Sequence, residues 1–254
     1  MTPDSFSDGG NLQSLDDIRR KAQQMIMQGA DILDVGGEST RPGAEAVSVQ
    51  QELDRVIPAI EMLGNEFDIT LSVDTSTPDV IRESAGVGAH LINDVRALTR
   101  SGAMEALAST NLDVCLMHMQ GQPQTMQSHP VYEDVVAEVR GYLEQRVSEC
   151  VDSGISRDRI MVDPGFGFGK SLDHNLLLLK HLQQFEIMGL PILVGMSRKS
   201  MLGQITGKDV GERLAGSLAV ALLAAQKGAK IIRVHDVAET RDVLKILNAV
   251  QDVT

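Results

Sequence analysis

Four short apolar runs each end in a residue able to accept hydrogen bonds: Asp31-Ile32-Leu33-Asp34, Leu71-Ser72-Val73-Asp74, Leu91-Ile92-Asn93 and Ile160-Met161-Val162-Asp163. Three carboxylates and an amide in such places suit the ring N–H and amino donors of a heterocycle. A buried carboxylate among them can also stabilise a cation that develops in a transition state. Two further runs lead into cations. Ile192-Leu193-Val194-Gly195 is followed by Met196-Ser197-Arg198-Lys199-Ser200, and Ile231-Ile232 by Arg233-Val234-His235-Asp236. By strand alternation Arg233 and His235 share one face. Cations beside hydroxyls suit an anion, and charge-assisted contacts to phosphate are worth about 1.5–3 kcal/mol each. Acceptors for a donor-rich ring together with cations for an anion predict a heterocyclic substrate carrying phosphate.

The run Gly165-Phe166-Gly167-Phe168-Gly169-Lys170-Ser171 follows Asp163-Pro164. It departs from the P-loop pattern, which requires Gly where Pro164 stands. Its alternating glycines read as a binding loop that lets a flat ligand approach the backbone. The chain carries no HExxH, paired CxxC or EF-hand pattern, so a tightly held transition metal is not expected, while Mg²⁺ accompanying a phosphate ligand stays open. His118, between Met117 and Met119, fits a packed residue ending the run Val114-Cys115-Leu116-Met117. Cys115 and Cys150 read as packed thiols.

These residues need elements to place them. Apolar periodicity predicts helices over 12–28, 48–63, 101–109, 132–152, 173–184, 211–227 and 236–251, with another from Pro78 to Gly86. Strands are expected at 31–35, 69–73, 90–93, 113–117, 159–162, 191–195 and 230–234. Continuous apolar strands alternating with helices mean a parallel sheet covered by helices. An open doubly wound sheet gathers its chemistry at one switch point. Here polar residues end nearly every strand, which favours a (β/α)8 TIM barrel in the α/β class, its site on the C-terminal rim. No linker-like tract interrupts the 254 residues, so a single domain over 1–254 is expected. The count is seven strands, one short of closure, and a first strand is missing from the expected set just upstream of Met1.

Lys and Arg total 23 against 35 Asp and Glu, a formal charge of −12. That balance argues against nucleic acid as a partner. With two Tyr, five Phe and no Trp, a base-stacking surface is not expected. The polar start has no signal core, and the longest apolar run, Leu218 to Ala225, is too short to span a bilayer. A soluble, cytoplasmic protein that does not engage a membrane is expected.

In their order along the whole chain, several segments resemble the dihydropteroate synthases of bacterial folate biosynthesis. They are Thr2-Pro3-Asp4-Ser5-Phe6-Ser7-Asp8-Gly9-Gly10, Asp34-Val35-Gly36-Gly37-Glu38-Ser39-Thr40-Arg41-Pro42-Gly43, Ser72-Val73-Asp74-Thr75, Ile92-Asn93-Asp94, Asp163 to Lys170, Ser197-Arg198-Lys199-Ser200 and Arg233-Val234-His235-Asp236. The resemblance implies a pterin-binding TIM barrel, usually a homodimer, that condenses 7,8-dihydropterin-CH2-pyrophosphate with p-aminobenzoate and releases pyrophosphate. It implies Mg²⁺ as cofactor and sulfonamides as competitors of p-aminobenzoate. Carried over by motif, Asp74, Asn93, Asp163, Lys199 and Arg233 would hold the pterin. Thr40, Arg41, Pro42, Phe168 and Ser200 would frame p-aminobenzoate, and Thr40, Arg233 and His235 would meet the pyrophosphate. Asp74, Lys199, Arg233 and His235 would be the catalytic groups, with the Thr2–Gly10 loop closing over the site. The family places a strand ending in Asn directly before Val-Thr-Pro-Asp. Met1 stands where that Val would be, so the strand and its Asn are the expected departure. Two alternatives share the pterin pocket: the pterin-binding barrel of corrinoid-dependent methyltransferases, with less need of the cationic segments, and an inactive truncated pterin-binding remnant.

Overall fold

The computed structural model of the chain describes residues 14–38, 47–121, 126 and 130–253. It divides into two compact units, 1–117 with 145–160, and 118–144 with 161–254.

In the first unit, helix α1 (Leu15–Met27) leads to strand β1 (Ile32–Gly36). A capping box starts α1: the Ser14 hydroxyl accepts from the Asp17 N–H while the Asp17 carboxylate accepts from the Ser14 N–H. Gly29, at φ +94°, ends it, its N–H bonded to Ile26 O while Ala30 N–H reaches back to Met25 O. The alternation continues with α2 (Val49–Glu66), β2 (Thr70–Asp74), α3 (Pro78–Gly86), β3 (Leu91–Asp94), α4 (Ala103–Ala108) and β4 (Asp113–Met117). β1, β2, β3 and β4 pair in that order and all run parallel. A core of Leu33, Val35, Leu71, Val73, Ile92 and Val114 is shielded by Val56, Ile60 and Leu63 from α2 and by Val80 and Ile81 from α3. β2 and β3 show why these strands read as unbroken apolar runs: a strand in a parallel sheet with both faces covered has no solvent face for polar residues.

Helix α5 (Val135–Asp152) and strand β5 (Ile160–Asp163) span the boundaries between the units. The second unit holds α6 (Leu172–Lys180), β6 (Leu193–Val194), α7 (Ser200–Thr206), α8 (Leu214–Gln226), β7 (Ile231–Ile232) and α9 (Val237–Gln251). Val162 bridges to Ile192 and β6 pairs with β7, both in parallel. β6 and β7 are shorter than the expected 191–195 and 230–234, although ladder bonds extend past them, from Lys230 N–H to Ile192 O at 2.8 Å and from Arg233 N–H to Val194 O at 2.8 Å. The helix expected over 173–184 ends at Lys180, and a 3₁₀ segment, Leu182–Met188, follows. Its buried Leu182, Phe185 and Met188 recur every three residues, the period of a 3₁₀ turn rather than of an α-helix. Helix α7 was not among the expected elements. Cys115 and Cys150 are buried thiols outside any disulfide, the packed arrangement expected. No helix among the described residues is long and apolar enough to cross a membrane.

Candidate active site

Register brings the first unit's acceptors together. Asp74 is the partner of Asn93 across β2 and β3, and of Gly36 across β1 and β2. Both Asp74 and Asn93 are 7% exposed, so their polar ends sit at the lip of a covered sheet. Asp34 lies two residues earlier, where its carboxylate accepts the Ser72 hydroxyl at 2.6 Å. Asp34 thus braces two strands, a task its strand-end position alone did not reveal.

The segment after Asp74 is fixed by a buried carboxylate that the sequence reading passed over. Glu52, in the first turn of α2 and 3% exposed, accepts the hydroxyls of both Thr75 and Thr77. Arg100 donates to Thr77 Oγ1 at 2.8 Å, and Thr75 N–H reaches Asn93 O at 3.2 Å. A Cβ on Gly37 would stand 2.8 Å from Glu52 Cγ, so the glycine after β1 makes room for this side chain. Asp94 does similar work beyond β3. It accepts from the Ser76 hydroxyl, from Arg96 N–H at 2.8 Å and from Leu98 N–H at 2.8 Å. These bonds hold a tight turn in which Ala97 (φ +49°) and Leu98 (φ +58°) take left-handed backbone that non-glycine residues rarely adopt. Complete burial raises the Asp94 carboxyl above the usual carboxylate range, and its three hydrogen bonds and the Arg96 charge pull it back in part. A signal for Glu52 was present: it lies one turn from Val56, a carboxylate on the apolar side of its helix.

In the second unit the anchor is Asp163, which is 6% exposed. Its Oδ1 accepts Gly165 N–H at 2.7 Å. Burial raises its pKa, opposed by the charge of Lys199, the Gly165 N–H, and the charges of Lys170 and Arg233. The charges of three cations thus act on one acid. Lys199 donates to Phe166 O and holds its ammonium 4.5 Å from the centre of the Phe168 ring, a cation–π contact. Ser200 opens α7. Arg233 and His235 are exposed, and the His235 Nδ1 and backbone N both lie within reach of Ser197 Oγ, at 3.0 and 3.3 Å. The other cation of the Ser-Arg-Lys-Ser segment is committed elsewhere: Arg198, at φ +59°, makes a two-pronged pair with Asp236.

The glycines of the loop after β5 have local reasons. Gly165, Gly167 and Gly169 all have positive φ, at 72°, 80° and 61°. A Cβ on Gly169 would run into the backbone of Gln120, and one on Gly167 would press on Lys199 Cδ at 3.1 Å. Asn175 closes the loop by accepting Gly167 N–H at 2.7 Å.

Thr40, Arg41, Pro42 and the Thr2–Gly10 loop lie outside the described residues. Among the described residues no three His, Cys, Asp or Glu side chains are grouped so as to hold a metal ion. A cavity of about 1060 Å³ in the first unit is lined by Asp31, Asp68, Thr70 and His90, at the opposite ends of the strands from the acceptors. None of the candidate residues lines it.

Residues 1–235 match the family described as pterin binding enzyme. A dihydropteroate synthase from Escherichia coli strain K12 is 57% identical over 249 residues, spanning 98% of this chain and 88% of that protein. One from Haemophilus influenzae (strain ATCC 51907 / DSM 11121 / KW20 / Rd) is 52% identical over 249 residues, spanning 98% and 90%. The chain belongs to the dihydropteroate synthase family. The crystal structure of the Yersinia pestis synthase with a sulfonamide drug complex matches it with a TM-score of 0.96 and 53% identity, covering 99% of this chain and 92% of that one. The α/β fold of parallel strands alternating with helices is thus the TIM-barrel-like fold of these synthases, the class expected from the polar strand ends. Buried Asp94 and Lys170 were legible only as letters inside motifs, because nothing in a motif separates the residue that meets the ligand from the one that holds it.

Proposed function

We propose that this chain is a dihydropteroate synthase, joining the pterin CH2 of 7,8-dihydropterin-CH2-pyrophosphate to the amine of p-aminobenzoate. The observation that carries this reading is the buried Asp163 on which the charges of Lys199 and Arg233 act, with the Lys199 ammonium held over the Phe168 ring. An acceptor for ring N–H groups beside cations for an anion suits a heterocycle with a phosphate leaving group.

The roles follow from charge. By motif, Asp74, Asn93, Asp163 and Lys199 are the residues assigned to the pterin. As the CH2–O bond breaks, its electron pair leaves with pyrophosphate and positive charge spreads over the electron-rich pterin. The Asp74 carboxylate stabilises that charge. Arg233 stacks on the ring and, with His235, takes the negative charge of pyrophosphate. The amine of p-aminobenzoate, framed by Thr40, Arg41, Pro42, Phe168 and Ser200, then forms the C–N bond and loses a proton. No covalent enzyme intermediate is needed. Mg²⁺, when bound, neutralises the pyrophosphate. Mg²⁺ keeps much of its shell on water and substrate phosphate, so the pyrophosphate itself would be its chief ligand. Ile246 and Val250 on α9 and Leu223 on α8, all exposed and apolar, support a homodimer. A cytoplasmic location and competition between sulfonamides and p-aminobenzoate complete the reading.

The test is product formation from both substrates with Mg²⁺, followed by chromatography. Dihydropteroate and pyrophosphate are expected in equal amounts, and Asp74→Asn should lower kcat by roughly a hundredfold, the loss of one electrostatic stabiliser. Absence of dihydropteroate, or an Asp74→Asn chain with unchanged turnover, would refute the reaction or the role in turn.

A further inference from the structure

The turn between β5 and α6 is held from within by a lysine to which the reaction above gives no part. Lys170 is 3% exposed. Its Nζ donates to Gly165 O at 2.9 Å and Phe168 O at 2.9 Å, lies 2.9 Å from His118 Nδ1, and lies 3.3 Å from His118 O. An ammonium has three protons, which the three shorter contacts use. With Lys170 as an ammonium, His118 Nδ1 is the acceptor and the ring proton sits on Nε2. The His118 ring is itself set by Tyr142, edge-on at 4.9 Å between centroids, and Tyr132, whose hydroxyl donates to Gly169 O at 2.8 Å. Lys199 grips the same turn through Phe166 O. Two lysines thus hold different carbonyls of one five-residue loop, Lys170 those of Gly165 and Phe168 and Lys199 the one between them.

We propose that Lys170, seated on His118, is a positioning residue that fixes the Gly165–Gly169 turn and thereby sets where Phe168 and Lys199 stand toward p-aminobenzoate. The proposal rests on the synthase reading above. Lys170 is buried beneath the turn, so it acts through the backbone and not on substrate. A lysine serving stability alone would cap any acceptors; this one caps the two carbonyls that bracket Phe166 and Phe168. Burial lowers its ammonium to about 7, with the Asp163 carboxylate raising it and Lys199 lowering it, and His118, Asp163 and Lys199 are the titratable groups that face it. Burial opposes the ammonium form, and the acceptors within reach of Nζ favour it.

Lys170→Met keeps the aliphatic stem and removes every donor. Steady-state kinetics should show KM for p-aminobenzoate raised roughly tenfold with kcat within about twofold, because the lost placement weakens binding in ground and transition states alike. Hydrogen exchange read without substrate should be faster at the amides of Gly167 and Phe168, which bond Asn175 Oδ1 and Gly165 O at 2.7 and 3.1 Å. If Lys170→Met does not fold, His118→Leu, which removes the Nδ1 acceptor, should raise the same KM about threefold, the loss of one partner of a buried hydrogen bond. A folded variant with unchanged KM for p-aminobenzoate, or with unchanged exchange in the turn, overturns the proposal. A wild-type chain that makes no product overturns the synthase reading instead, and the two failures are told apart because the exchange difference does not depend on turnover.

Discussion

Replacing His118 with Asn should remove much of the protein's sensitivity to mild acid. His118 is 6% exposed and its pKa is lowered from 6.5 to about 3, first by burial and then by the Lys170 ammonium. In the unfolded chain the ring titrates near its ordinary value. A histidine whose folded pKa is depressed adds stability above the unfolded value, and that stability is lost as pH falls from 6.5 toward 3, where the unfolded chain takes a proton that the folded one refuses. Each pH unit in that window costs about 1.4 kcal/mol. Going from pH 7 to pH 5 crosses about 1.5 units of it, so His118 alone should remove about 2 kcal/mol. Asn places a carboxamide oxygen near the position of Nδ1 and retains an acceptor for Lys170, but it does not titrate. Carboxylates such as Asp94 and Asp163, whose pKa values are raised, titrate in both proteins and cancel in the comparison. Urea unfolding of wild type and His118→Asn at pH 7 and pH 5 measures the double difference. The wild type should lose about 2 kcal/mol more than the variant. Equal losses would show that His118 takes a proton freely in the folded state, and the assignment of Nδ1 as an acceptor would be wrong.

Three further outcomes are expected. Glu52→Ala removes the acceptor for the buried Thr75 and Thr77 hydroxyl protons, two hydrogen bonds to a charge, so it should cost about 3 kcal/mol by urea unfolding, while Glu52→Gln should recover part of that loss. Gly169→Ala forces a Cβ against Gln120 O and a side chain onto φ +61°, and should lower stability by about 2 kcal/mol and raise KM for p-aminobenzoate; an unchanged melting temperature would contradict the close approach. Chelating Mg²⁺ should weaken binding of the pterin pyrophosphate while leaving binding of a pterin without phosphate unchanged, as read by calorimetry, because the ion is proposed to travel with the leaving group.

The sequence made the strands legible because burial on both faces turns them into apolar runs, and the ends legible because polar residues stop those runs. Asp74 and Asn93 are the clearest cases: their letters predict acceptors at strand ends, and the register pairs them. Helix α3 was readable from Pro78 at its first position, whereas the 3₁₀ segment Leu182–Met188 was not separable from α6, because apolar residues at three-residue spacing also satisfy a helical pattern. Partner choice is where one-dimensional reading failed. Arg198 and Lys199 are adjacent cations with equal claim to an anion. Only the left-handed backbone at Arg198 turns its guanidinium to Asp236 while Lys199 stays beside Phe166 and Phe168. His118 had no assignment because its role depends on Lys170, 52 residues away.

The two units solve one problem in opposite polarity. An acceptor meant for a ligand must be rigid before the ligand arrives, since its orientation cannot be organised at the moment of reaction without cost. In the first unit the residues following Asp74 are fixed by anions, Glu52 and Asp94, whose donors are mostly neutral hydroxyl and amide groups. In the second, the residues following Asp163 are fixed by a cation, Lys170, whose acceptors are neutral carbonyls and an imidazole. Neutral partners matter. Had the anchors been tied into tight ion pairs, a mutation in either partner would strand a buried charge at a cost of about 3–5 kcal/mol. With neutral partners the anchor's field still reaches the neighbouring ligand acceptor. The Lys170 charge, with those of Lys199 and Arg233, opposes the rise that burial imposes on the Asp163 pKa. The buried lysine therefore has two effects on the same site, one through the backbone of the turn and one through its charge. A neutral replacement of Lys170 should accordingly shift the acid limb of pterin binding to higher pH, and an unchanged limb would separate the electrostatic effect from the positional one.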